Sequence, residues 1–295
     1  MAAQQPQPGD GVGLTVAGAQ PGRLVVVATP IGNLGDLSPR AADALRTADL
    51  VLAEDTRRTG RLLAHAGSDV RMTSLHEHNE RDRVADIVAR LAEGAVIALV
   101  SDAGTPGVSD PGYVLVRACV DAGIRVEPVP GPSALLAALV ASGLPTDRFT
   151  FEGFLPRKGQ ARRDRLAELA VEPRTIVLYV SPHRGAADLA DLGAALGPSR
   201  RAALARELTK LHEEVVHGTL EQLAARADDG LRGEVALVIE GAHPQDKEPA
   251  DLPTLVEIVR RRAAAGERTK DVVKDVASAA GIASRDLYQA VVDAG

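Results

Sequence analysis

The stretch Ser101 to Gly112 (SDAGTPGVSDPG) has the residue types of a ligand loop. It directly follows the apolar run Ala95 to Val100, which suits a strand buried on both faces. Gly104, Gly107 and Gly112, with Pro106 and Pro111, make a backbone that is irregular yet restrained. In an open α/β sheet, ligands settle beyond the carboxyl ends of the strands. A glycine-rich loop there lets the main chain approach a ligand closely. Asp102 and Asp110 can accept hydrogen bonds from hydroxyls or an amine.

A second loop, Thr29-Pro30-Ile31-Gly32-Asn33-Leu34, follows the first apolar run, Leu24 to Ala28. A third, Pro130-Gly131-Pro132-Ser133-Ala134, places small residues at a helix start, where free amides can meet a carboxylate. Neither GxGxxG nor the phosphate P-loop pattern occurs. That argues against a nicotinamide oxidoreductase. Glycine loops after strands, without a phosphate signature, point to a nucleoside-like or amino-acid-like ligand.

Charged clusters follow other strand ends. Glu54-Asp55-Thr56-Arg57-Arg58 offers acids for substrate binding or proton removal, and Asp55 equally suits a helix cap. His76-Glu77-His78-Asn79-Glu80 resembles a metal motif, but its histidines are two apart, unlike the helical HExxH spacing. Substrate hydrogen bonding, or capping by Asn79, fits it better, and no metal is expected. Later in the chain, Ser181-Pro182-His183-Arg184 and ARELTKLHEE (Ala205 to Glu214, with Arg206, Glu207, Lys210 and His212) also follow strands. Polar loops at strand ends of two domains predict a cleft between them.

The elements that must position these groups alternate. Leu24–Ala28, Leu50–Ala53, Ala95–Val100 and Arg125–Val129 read as strands. Between them lie helices from Pro39 to about Ala48 capped by Ser38, Thr56–Ala66 stopped by Gly67, Glu80–Glu93, and Val114–Asp121. After a helix from Ser133, strands recur at Arg148–Phe151, Thr175–Val180, Arg201–Ala205 and Val235–Glu240. Helices at about Ala161–Ala170, Gly185–Leu196 and Leu220–Ala227 separate these. The fold class is therefore α/β: two α/β domains with a cleft, plus a small C-terminal helical region. Its helices are expected at Leu252–Ala265, Lys270–Ala280 capped by Thr269, and Arg285–Asp293 capped by Ser284. The expected domains are a disordered tail at 1–22, α/β domains at 23–130 and 131–243, and a linker with helices at 244–295.

Composition bounds the function. The 295 residues are 45% hydrophobic but only 2% aromatic, so few rings exist for stacking on bases. Cys119 is the one cysteine, which excludes an internal disulfide and suits a buried hydrophobe in a reduced, cytoplasmic protein. No apolar run reaches the ~20 residues a membrane helix needs. The net charge of −6 disfavours broad nucleic-acid binding, so any such surface must be local. Arg157 to Arg165 (RKGQARRDR) is a candidate, and a solvated helix approach is the alternative.

The order of VATPIGNLGDLSPRA, AEDTRRTGRLL, HEHNE, SDAGTPGVSDPG, PGPSA, GFLPRKG, SPHR and ARELTKLHEE resembles the ribosomal RNA small subunit methyltransferase I family, within the tetrapyrrole-methylase-like superfamily. The likeness runs from about Leu24 to Gly241, and KDVVKDVASAAGIASRDLY resembles the family's terminal region. One departure is visible: Val180 stands before SPHR, where the family usually has an acid. The resemblance implies a dimer of two-domain α/β chains that binds S-adenosylmethionine between domains. It implies methylation of the 2′-oxygen of cytidine 1402 in the 16S rRNA of the small ribosomal subunit. It places the cofactor at Thr29, Pro30, Gly32, Asn33, Ser101, Asp102, Ala103, Gly104, Thr105, Val108, Ser109, Pro132, Ser133, Ala134, Leu155, Ser181 and Ala205. Asp102 and Glu54 are the leading catalytic candidates, with Asp55 and Lys210 next. Arg57, Arg58, Arg61, Arg157, Lys158, Arg162 and Arg163 are the expected RNA contacts. The rivals are a superfamily methyltransferase acting on a tetrapyrrole or a protein side chain, and a non-enzymatic ribosome-assembly factor.

Overall fold

The computed structural model describes residues 22–227, 230–243, 252–264, 266–280 and 282–294. The expected tail, up to residue 21, and the expected linker at 244–251 lie outside the described residues. The chain divides into two compact units between Ala134 and Leu135.

In the first unit, strand and helix alternate as β1 (Arg23–Val27), α1 (Pro39–Thr47), β2 (Leu50–Ala53), α2 (Thr56–Ala66), β3 (Met72–Ser74), α3 (Glu80–Ala92), β4 (Val96–Val100), α4 (Tyr113–Asp121) and β5 (Arg125–Val129). The sheet is parallel, in the order β3-β2-β4-β1-β5. Successive strand side chains face opposite ways. Leu50, Leu52, Ile97 and Leu99 therefore pack with Ile87 and Leu91 of α3 and with Leu115 and Cys119 of α4. Val51, Ala53, Ala98 and Val100 pack with Leu45 of α1 and Leu62 and Leu63 of α2. Each leucine fully buried this way contributes roughly 2 kcal/mol. Burial also pushes the Cys119 thiol up to about 11.

Local signals set the element ends. The Ser38 hydroxyl accepts from the Ala41 N–H at 3.1 Å, with Pro39 at the first helical position. Gly67 ends α2 at φ 67°, a left-handed conformation that glycine adopts without cost. Pro128 lies on β5, at the sheet edge, where its missing N–H is tolerated.

The second unit runs α5 (Ala134–Ala141), β6 (Phe149–Phe154), α6 (Gln160–Ala170), β7 (Thr175–Val180), α7 (Gly185–Leu196), β8 (Arg201–Arg206), β9 (Glu214–Thr219), α8 (Leu220–Ala227) and β10 (Val235–Ile239). Its sheet order is β6-β7-β10-β8-β9. The β6–β7 pair is parallel and the other pairs are antiparallel. The helices α9 (Leu252–Ala264), α10 (Thr269–Ala280) and α11 (Ser284–Asp293) share an apolar cluster of Leu255, Val259, Val272, Val276 and Leu287. Thr269 and Ser284, expected as caps, are the first residues of their helices. No helix among the described residues is long and apolar enough to cross a membrane.

Arg162 corrects one expectation. Expected as an RNA contact, it is buried on α6. Its guanidinium donates to Asp188 at 2.8 Å, to Asp191 at 2.6 and 2.8 Å, and to the Pro156 carbonyl at 3.0 Å. All three nitrogens are engaged and the side chain is buried, so it presents no exposed cation to a phosphate. Among the described residues its loss leaves buried Asp188 with the longer Arg184 contact, at 3.5 Å. Arg162→Ala should therefore cost about 3 kcal/mol. Exposed Arg163→Ala should stay within about 0.5 kcal/mol. Urea unfolding measures both, and equal midpoints would contradict this account of Arg162.

Candidate active site

The carboxyl edge of the first sheet is bound together by its own loops. Thr29, just past β1, and Gly104, just past β4, exchange two backbone hydrogen bonds, at 2.8 and 3.1 Å. The buried Thr29 hydroxyl also donates to the Ser101 and Gly104 carbonyls, at 3.3 and 3.4 Å. The Thr105 hydroxyl donates to the Pro132 carbonyl at 3.4 Å, which brings in the loop after β5. Two glycines are needed for this closeness. A Cβ on Gly131 would lie 3.1 Å from the Ala28 Cβ, and one on Gly112, at φ 126°, would lie 2.8 Å from the Leu99 side chain.

Of the cofactor residues expected here, Thr29 and Pro30 are buried struts of the loop, while Gly32 and Asn33 are exposed. The Asn33 side chain accepts from the Gly35 N–H and caps a short 3-10 turn, Leu34–Asp36. Ala103, Thr105 and Val108 are half-buried, and Ser109 is exposed at φ 61°. Pro132, Ser133 and Ala134 are half-buried at the start of α5. The Ser101 hydroxyl is buried without a hydrogen-bond partner among the described residues.

Beside these loops three acids divide into distinct roles. Asp102 is anchored: Oδ1 accepts the Asp55 N–H at 2.9 Å, and Oδ2 pairs with Arg58 at 3.3 Å. Among the described residues Glu54 accepts one hydrogen bond, from the Asp102 N–H at 3.3 Å. Burial is the main force raising its pKa above the usual carboxylate value. The Asp102 N–H and Arg58 oppose this, and the Asp102 and Asp55 charges add to it. Asp55 goes the other way. Hydrogen bonds from the Arg57 side chain and backbone hold its carboxyl at about 2, and it caps α2. Asp55 was a catalytic candidate; its carboxylate is a helix cap committed to Arg57.

The HEHNE segment is a turn between β3 and α3. Asn79 Oδ1 accepts the His76 N–H at 2.9 Å, and Nδ2 donates to the Ser74 carbonyl at 3.3 Å. Asn79 thus closes the turn instead of capping α3 with its side chain. Buried Glu80 reaches the start of α4, where Oε1 accepts the Leu115 N–H at 3.0 Å. Sequence reading missed this cap, because the acid lies 35 residues from the helix it serves. Among the described residues no group of three His, Cys, Asp or Glu side chains is placed to hold a metal.

In the second unit, Leu155 packs in the apolar core after β6, and Ser181 is half-buried at the end of β7. Ala205 is 1% exposed in the interior of β8, paired on both sides, and offers a ligand no free surface. That corrects its expected cofactor contact. Val180 is buried and pairs with Val235, so an apolar core position replaces the family's acid. Lys210 contacts Glu207 at 2.9 Å and Glu234 at 3.1 Å. Burial works against its charge, but the two carboxylates outweigh it and raise the pKa, so Lys210 is no proton acceptor. Its loop holds Glu207 and Thr209 at φ 51° and 67°, a strain the sequence did not announce.

The expected RNA contacts other than Arg162 are exposed. Arg57, Arg58 and Arg61 lie on α2, and Arg57 and Arg58 are partnered by Asp55 and Asp102. Arg157 and Lys158 precede α6, and Arg163 on α6 donates to Gln160 at 2.7 Å.

The fold has known counterparts. The family model of the tetrapyrrole (corrin/porphyrin) methylases matches residues 23–224. Ribosomal RNA small subunit methyltransferase I of Mycobacterium bovis is 51% identical over 274 residues, 92% of this chain and 95% of that one. The protein of that description from Xylella fastidiosa is 56% identical over 229 residues, 77% of this chain and 84% of its own. Uroporphyrin-III C-methyl transferase from Thermus thermophilus, solved with S-adenyl homocysteine, shares the fold. Its TM-score is 0.54 at 23% identity, over 74% of this chain and 97% of that one. The chain therefore belongs to the tetrapyrrole methylase family, among the ribosomal RNA small subunit methyltransferases I.

Proposed function

We propose that the protein moves a methyl group from S-adenosylmethionine to the ribose 2′-oxygen of cytidine 1402 in 16S rRNA, acting on the small ribosomal subunit as a homodimer in the cytoplasm. The observation that carries this reading is 51% identity across 92% of the chain to a ribosomal RNA small subunit methyltransferase I. Residue chemistry supports the methyl donor. The glycine loops bring backbone groups to the sheet edge, and the Ser101 hydroxyl is buried with a hydrogen bond unused. In the first unit, Thr29, Pro30, Gly32, Asn33, Ser101 to Thr105, Val108, Ser109 and Pro132 to Ala134 are the residues to hold it. The donor supplies an electrophilic methyl on a sulfonium.

The chain's own task is the acceptor. A ribose hydroxyl is a poor nucleophile and must be aligned and relieved of its proton. Glu54 is the group to take that proton. Its desolvated carboxylate is more basic than an ordinary glutamate, and one oxygen is lightly engaged. Asp102, fixed by Asp55 and Arg58, orients the neighbourhood. Arg57, Arg58, Arg61, Arg157, Lys158 and Arg163 supply phosphate contacts.

Mapping ribose methylation on ribosomal RNA from cells with and without the protein tests the whole reading; an unchanged map overturns it. Tight S-adenosylmethionine binding with no transfer to small subunits would point instead to an assembly factor.

Glu54→Gln should lower the single-turnover rate by at least about 100-fold while S-adenosylmethionine still binds. The same change should raise the thermal midpoint at pH 7. A carboxyl whose folded pKa is raised stabilises when protonated, and that stability is lost as pH rises through the folded value. The advantage of Gln should therefore fade as pH falls below the ordinary carboxylate range. A wild-type rate, or a midpoint difference that ignores pH, would remove Glu54 from this role.

Arg157→Glu with Lys158→Glu should weaken RNA binding and flatten its dependence on salt by roughly 0.7 to 0.9 per lost phosphate contact. An unchanged slope places the RNA elsewhere.

A further inference from the structure

The mechanism above leaves His76 without a task. Two neighbours in its turn have tasks: half-buried Asn79 closes the turn and buried Glu80 caps α4. The His76 ring meets His78 edge-on, with centroids 6.1 Å apart, a contact that engages no nitrogen as a hydrogen bond. Its Nδ1 is fully buried and has no hydrogen-bond partner among the described residues. Buried polar atoms without partners are rare in native proteins, because each forfeits its hydration for nothing. A ligand that completes the bond is one reason to keep such an atom.

Its place in the sheet identifies the ligand. The Leu75 N–H donates to the Ala53 carbonyl at 2.8 Å, so the chain leaves β3 beside Glu54. The neighbouring strand on the other side of β2 is β4, which leads into Ser101. One residue past three adjacent strands stand Leu75, Glu54 and Ser101, and His76 follows Leu75. Two buried polar atoms without partners among the described residues, His76 Nδ1 and Ser101 Oγ, thus lie just past the strands on either side of the one that leads into Glu54, a partly desolvated carboxylate. The glycine loops of β1, β4 and β5 gather on the Ser101 side of Glu54, and His76 is on the other side. If the first side holds the methyl donor, the His76 side is left for the acceptor.

We propose that His76 is a substrate-binding residue, whose Nδ1 makes a hydrogen bond to the methyl-accepting nucleoside next to Glu54. This rests on the RNA methylation reading. Neutral imidazole can donate or accept at Nδ1, so it matches a polar edge of a nucleoside in either sense.

Three substitutions separate this role from packing. His76→Asn places an amide near the position of Nδ1, His76→Gln reaches toward that of Nε2, and His76→Phe keeps a ring without nitrogen. The measurements are steady-state methylation of small ribosomal subunits, calorimetric S-adenosylmethionine binding and thermal unfolding. His76→Phe and His76→Gln should lower kcat/KM for the subunit about tenfold or more, chiefly through KM, and His76→Asn should recover most of it. Donor affinity should be unchanged in all three. His76→Phe should unfold no earlier than wild type, since it removes an unsatisfied nitrogen. An active wild type matched by His76→Phe overturns the inference alone. So does Asn performing no better than Gln, or donor affinity falling with activity. A wild type inactive on ribosomal RNA overturns the underlying reading and the inference with it.

Discussion

The paired hydrogen bonds between Thr29 and Gly104 are the constraint on which the site depends. They join the loops of β1 and β4, neighbouring strands at the middle of the first sheet. Loops at strand ends are normally the most mobile part of an α/β layer. Here one loop's backbone satisfies the other's, and the Thr29 hydroxyl adds two further contacts. The loop after β5 is drawn in through Thr105 and Pro132. A glycine-rich backbone costs entropy to order. Reciprocal bonding meets that cost before any ligand arrives.

That order lets three carboxylates, two of them adjacent in sequence and the third joined to them by hydrogen bonds, behave differently. Asp55 is held strongly acidic by Arg57, Asp102 is fixed by Arg58 and the Asp55 N–H, and Glu54 is left partly desolvated. The basic form of Glu54 is maintained against its own burial. The site is thus stabilised least where its proposed chemistry is done, a common trade between stability and activity. Arg58 serves both sides of this arrangement. It steadies Asp102 and moderates Glu54, and it is also exposed to any phosphate that approaches α2.

Much of the architecture was legible in the sequence because burial on both faces writes continuous apolar runs. β2, α2, β5, β7, α7 and α8 fall on the residues expected, and most other elements differ only by a residue or a few at their ends. Two strands were not read. β3 has three residues, Met72–Ser74, too few to show a period, and β9, Glu214–Thr219, begins inside a segment that looks like a polar loop. The ligand loops were visible from glycine and position alone. What stayed hidden was partnership across the fold. Nothing near Arg162 in sequence shows that Asp188 and Asp191 enclose it, and nothing near Glu80 shows that Leu115 is its partner. The divergence of Asp55 from Glu54, adjacent residues of like charge, arises from burial and a neighbouring guanidinium.

The lone cysteine has a practical meaning. Cys119 is enclosed between α4 and the sheet, with a thiol that resists ionisation. Only the thiolate reacts quickly with alkylating reagents, and it needs water around it. Its labelling therefore waits for the first unit to open. The rate of that labelling is a clock for local unfolding, built in at one position and requiring no added probe. A ligand that ties the strand-end loops together should slow the clock in proportion to its hold on the folded unit.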